Sequence, residues 1–178
     1  MKKLLGFLSK MISKVHAPFN HKKMTELECL EIINELKDGD VLLTHTSGEL
    51  SNFFLAYFGH GAIFSKGAVC EAVTAGTKET DPMFFLSRKD DVLVLRPKFH
   101  INKDTLHYFL SSNEGKGYDY EFESDDGQFY CFEYVACGIN KNAQVKVYPV
   151  KTPFGAKYLA KSFQNENFEV AWKRKWNF

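Results

Sequence analysis

The sequence predicts an α+β domain with a central antiparallel sheet packed by helices. Three observations carry this: short β-prone runs cluster in the middle of the chain, helical patterns are interspersed among them, and βαβ alternation is sparse. A chain of 178 residues lies within what one hydrophobic core can hold, so one domain is expected. Its bounds are 24–178, preceded by an amphipathic segment and linker at 1–23.

The elements follow in order. "TELECLEIINEL" has Thr25 and Glu28 in capping-box spacing and brings Leu27, Leu30, Ile33 and Leu36 roughly to one face, so it reads as a helix ending at the Lys37-Asp38-Gly39-Asp40 turn. "VLLTH" (41–45) reads as a strand and "ELSNFFLAYF" (49–58) as a helix. "HGAIF" (60–64) and "AVCEAV" (68–73) flank Lys66-Gly67 as a hairpin. Then come a strand at 91–97 closed by Pro97, a helix at 103–112, a glycine-containing acidic loop at 113–127, a buried helix opening at Cys131, a strand at 144–150 and a helix at 155–163. "NFEVAWKRKWNF" fits either a last strand or a loop.

Composition narrows the function classes. With 44% hydrophobic and 25% charged residues the chain matches a globular domain, which excludes extended disorder. A net charge of +1 gives no field for a polyanion, so nucleic acid is not an expected partner. Cys29, Cys70, Cys131 and Cys137 lack C-x-x-C spacing, which argues against a structural zinc site or a redox dithiol.

"MKKLLGFLSKMISKV" starts like a signal peptide, but Lys10 and Lys14 break its apolar run and no cleavage site follows. Wound as a helix, Leu4, Leu5, Phe7, Leu8, Met11, Ile12 and Val15 share one side and Lys2, Lys3, Lys10 and Lys14 the other. Residues 2–15 therefore suit an anionic membrane surface or a packing site on protein. The expected setting is cytoplasmic, with membrane association one of the two roles open to this segment.

Chemistry centres on "GQFYCFEYVACGI", Gly127 to Ile139. A helix opening at Cys131 puts that thiol at the positive end of the helix dipole, which lowers its pKa from about 8.5, and leaves its own amide open to an oxyanion. The base would be His60. With a two-residue turn at Lys66-Gly67, Ala62 faces Glu71 and His60 becomes the diagonal neighbour of Glu71 on one face, so a carboxylate can orient an imidazole. Set against this, buried free cysteines are common, and a Cys, a His and a Glu are easily found by chance. Cys29, Cys70 and Cys137 read as core. His45, at a strand end, fits a turn or the margin of the site.

At these residues the chain resembles the circularly permuted papain-like hydrolases, the YiiX-like branch of the NlpC-type superfamily. The matching pieces are "DGDVLLTHT", "FGHGAIF", "AVCEAV" and "GYDYEFESDDGQFYCFEYV", from Asp38 to Val135, with His before Cys as a permuted order requires. The resemblance implies a permuted papain-like fold, Cys131 as nucleophile, His60 as general base and Glu71 as its orienting partner, with no metal or other cofactor. Tyr118 and Asp119 match the Tyr-Asp pair before the family's nucleophile, and Glu133 the acid after it. Tyr118, Tyr130 and His45 are the expected substrate or oxyanion residues. Phe132 and Gly59 stand where relatives usually carry serine, which suggests a divergent pocket.

The expected activity is cleavage or transfer at an amide or ester, in a cell-wall peptide amide or a lipid-linked acyl group, as a papain-like cysteine amidase, peptidase or thioesterase-like hydrolase. The alternative is a non-catalytic binding or structural protein on the same fold. A metal site from His45, His60, Cys70 and Glu71 is disfavoured because Cys70 and Glu71 point to opposite faces of one strand.

Overall fold

The structure, a computed structural model, describes residues 23–47, 57–122, 127–153 and 155–174. The expected helices at 2–15 and 49–58 lie wholly or mostly outside these residues. Helix α1 (Glu26–Glu35) opens on the expected capping box, with Thr25 and Glu28 each bonding the other's backbone and so satisfying amides that a first turn leaves open. Its buried face differs from the expected one. Leu27 and Leu30 are exposed, whereas Cys29 and Ile32 are buried beside Met24. Residues three apart drift around a helix of 3.6 residues per turn, so the four-residue apolar stripe splits and only its end, Ile33 and Leu36, joins the core.

The described strands are β1 (Val41–His45), β2 (His60–Ser65), β3 (Ala68–Val73), β4 (Gly76–Thr80), β5 (Asp91–Pro97), β6 (Val150–Thr152), β7 (Gly155–Lys157) and β8 (Phe168–Lys173). Six form one sheet in the order β4-β3-β2-β1-β5-β8, every neighbouring pair antiparallel. Residue parity sends Leu42, Ala62, Val69, Val92 and Val94 to one face, under α1 and the short α2 (Pro82–Leu86). Val41, Leu43, Ile63, Cys70 and Ala72 go to the other, under α3 (Lys103–Ser112) and α4 (Cys131–Asn142). The chain is thus a mixed α+β domain around a six-stranded antiparallel sheet.

The hairpin has the expected register, Ala62 opposite Glu71. Lys66 and Gly67 both take positive φ, 46° and 85°, the two-residue turn whose twist matches its strands. Within the tail, Phe168–Lys173 forms β8. Two segments differ from expectation. Residues 144–149 are not a strand, because the Asn140 amide of α4 takes both backbone groups of Val147, at 2.7 and 2.9 Å. Residues 155–163 are not a helix: Gly155–Lys157 pairs with β6, and a 3-10 turn follows at Ala160–Ser162. β4 and α2 were not anticipated.

Candidate active site

Helix α4 begins at Cys131, capped by Tyr130 in an extended conformation with no side-chain cap bond. Its first repeating bond runs from the Tyr134 amide to the Tyr130 carbonyl, so the amides of Cys131 and Phe132 remain available to the site. Gly61 of β2 brings the helix this close. A Cβ built at Gly61 would lie 2.6 Å from the Phe132 ring, so only glycine lets that ring rest on the strand backbone.

His60 opens β2 and stands at the end of the sheet. Its Nε2 meets Glu71 Oε2 at 2.9 Å, and its ring also hydrogen-bonds the Cys131 thiol, which leaves Nδ1 for the sulfur. The sulfur further accepts from the backbone amides of Gly61 and Phe132. The Tyr118 hydroxyl bonds the same thiol and takes the Cys131 amide. The cluster is well shielded: Cys131 is 4% exposed, and the side chains of His60 and Glu71 are 14% and 1% exposed.

Electrostatics follow from these contacts. Burial disfavours a charged His60, but the hydrogen bonds from Cys131 and Glu71 outweigh it and push the ring up to about 9. Burial likewise opposes a Cys131 thiolate, yet the bond and charge of His60 and the two amides bring the thiol below its ordinary value. Glu71 is held at about 2, because His60, Thr80 and Lys89 overcome its desolvation. The pair therefore favours thiolate and imidazolium. Tyr118 moves the other way, raised by burial and by the neighbouring sulfur, so its hydroxyl keeps its proton.

The other expected site residues have partners of their own. Tyr130 packs on Phe122 and accepts the Tyr158 amide at 2.8 Å, which fixes it in the core. His45 stacks on Tyr57, donates through Nδ1 to that residue's carbonyl at 2.7 Å, and has Ser47 near Nε2. Asp119 accepts the amides of Glu121 and Phe122, which forms a local turn after Tyr118. Phe132 is fully buried against Phe163, so its ring belongs to the core. Sequence reasoning missed Thr80, whose hydroxyl donates to Glu71 Oε1 at 2.7 Å, and the cations Lys78 and Arg88 at 3.5 and 3.9 Å from the same oxygen.

Fold and site together define an α+β protein whose helix-start thiol is bonded to a strand histidine and, through it, to a buried carboxylate. No family model matches the chain, and no curated protein matches it. Among solved structures it is similar to metalloprotein YiiX from Escherichia coli O157:H7, DUF1105, with a TM-score of 0.67 and 18% identity over 79% of this chain and 98% of that one. The two share a fold. No helix among the described residues is long and apolar enough to cross a membrane.

Proposed function

We propose that the chain is a cysteine-dependent acyl hydrolase or acyltransferase on the circularly permuted papain-like plan, acting on an amide or ester in a peptide or lipid-linked substrate. One observation carries the reading: a single imidazole is bonded on one side to a buried carboxylate and on the other to a thiol at a helix start. Nucleophile, base and orienting acid are needed in that order.

The Cys131 thiolate attacks the substrate carbonyl carbon, forming a C–S bond and moving the carbonyl electrons onto oxygen. The Cys131 amide and the Tyr118 hydroxyl, which bond each other in the resting site, turn to that oxyanion. His60 gives its proton to the leaving amine or alcohol as that bond breaks, leaving a thioester. Neutral His60 then removes a proton from water, or from an acceptor alcohol or amine, which attacks the thioester and expels the thiolate. Glu71 keeps the ring aligned throughout.

YiiX is described as a metalloprotein, but the donors of this chain do not fit a metal centre. His60 has its partners on opposite sides of the ring, Cys70 faces away from Glu71, and among the described residues no three His, Cys, Asp or Glu groups are arranged to hold one ion.

Iodoacetamide labelling across pH 5 to 9 with peptide mapping tests the proposal. Cys131 is expected to label fast well below pH 8.5, the ordinary thiol pKa being about 8.5, and to lose that rate in His60→Ala. Equal reactivity of all four cysteines would overturn it in favour of a non-catalytic protein on the same fold.

A further inference from the structure

The carboxylate that orients His60 is itself held from behind. Glu71 Oε2 is occupied by the ring, while Oε1 accepts the Thr80 hydroxyl at 2.7 Å. Thr80 is 6% exposed, and β4 places its side chain on the Glu71 face, one strand away from Val69. Carboxylates with one oxygen unfixed rotate; here the two oxygens have different, directed partners. Lys78 of β4 and Arg88 after α2 flank Oε1 at 3.5 and 3.9 Å, half in solvent, and buried Lys89 adds charge near Glu71 and His60. Lys78 and Arg88 both pull on Oε1 from the solvent side, and the shorter hydroxyl bond fixes that oxygen against them.

The other end of β4 is tied to the loop that delivers Tyr118. The Thr77 amide donates to the Lys116 carbonyl at 2.9 Å, and Gly115 donates back to Thr77 at 2.8 Å. Thr77 Oγ1 also accepts the Lys116 amide at 2.9 Å. Gly76 at φ +110° lets that carbonyl approach: a Cβ there would lie 2.6 Å from Lys116 O. Two residues on, Tyr118 bridges to Phe129, just ahead of the helix that starts at Cys131.

We propose that Thr80 is a positioning residue of the site, aiming Glu71 at His60 by fixing the second carboxylate oxygen, and that β4 thereby braces the acid at one end and the Tyr118 loop at the other. This rests on the Cys131–His60–Glu71 reading above.

The test is the pH profile of Cys131 alkylation by iodoacetamide in the intact chain. Thr80→Val preserves shape and deletes the donor, while Thr80→Ser restores it. A hydrogen bond to a charged group is worth about one to two pH units to Glu71 itself and reaches the thiol only through His60, so in Val the acid edge of the profile is expected to move up by a few tenths to about one pH unit, and Ser is expected to return it to the wild-type position. Thr80→Ala, read the same way, covers the case in which Val does not fold. A profile in folded Val or Ala that overlays the wild type, whatever the change in Tm, would overturn the positioning role. A shift that Ser fails to reverse would overturn it too. A wild-type profile without His60-dependent labelling below pH 8.5 would instead sink the triad reading, which separates the two failures.

Discussion

Cys131 and Cys70 are buried in the same cluster beneath α3 and α4, 4% and 0% exposed, and their thiols are driven in opposite directions. Cys70 sits mid-strand in β3, where burial and the nearby carboxylates of Glu79, Glu114 and Glu71 push it up to about 12. Burial opposes a Cys131 thiolate too, but a histidine and two backbone amides bring it below its ordinary value. Burial alone thus says nothing about thiol reactivity. What separates the two is a set of donors that only a helix start and a strand end can bring to one sulfur.

Removing His60 should abolish most of that contrast. In His60→Ala the alkylation rate of Cys131 at pH 6.5 is expected to fall by roughly 100-fold or more, in line with the loss of a positioned acid–base partner, while Cys70 stays unlabelled in both proteins; mass mapping of each cysteine reads this out. A Cys131 rate that survives the substitution would mean that the helix start alone lowers the thiol.

Gly61→Ala attacks the same contrast through packing. The added methyl meets the Phe132 ring at 2.6 Å, and overpacking of this kind costs about 1–3 kcal/mol. Urea denaturation is expected to show that loss, together with slower Cys131 labelling as α4 is pushed off β2. An unchanged midpoint would show that the ring moves aside freely.

The smallest effect is on stability against acid. Glu71 is held at about 2 in the fold against an ordinary 4.5, so its contribution is fully present above pH 4.5 and is lost as pH falls toward 2. The Tm difference between wild type and Glu71→Gln should therefore be greatest above pH 4.5 and shrink on acidification to pH 2, as followed by circular dichroism. A constant difference would mean that the carboxylate is not ionised by its partners.

Much of this site was legible because it depends on parity. The turn at Lys66-Gly67 fixed Ala62 opposite Glu71, and a period of two then put His60 and Glu71 on one face and Cys70 on the other. The start of α4 at Cys131 was legible for a related reason, since an apolar run resumes there after a loop. β4 was not. "GTKET" carries no apolar alternation, because as an edge strand it is covered by the loop at 113–117, so Thr80 and its bond to Glu71 had no signal beyond the β-propensity of two threonines. Residues 144–149 had the opposite fault. Their valines look like a strand, but the side chain of Asn140 claims Val147, and no pattern in the segment itself announces a partner on another element. The proposed permuted papain-like relation rests on matched residues and chain order, which pattern reasoning alone does not supply.

The contact between Gly61 and Phe132 makes those two positions share one volume. Neither is then free to change alone: a larger residue at 61 requires a smaller one at 132. Gly61→Ala in a Phe132→Ala background should cost less than in the wild type, a coupling on the order of 0.5–3 kcal/mol. This chain has committed that room to the Phe132 ring, and with it the residue that follows Cys131.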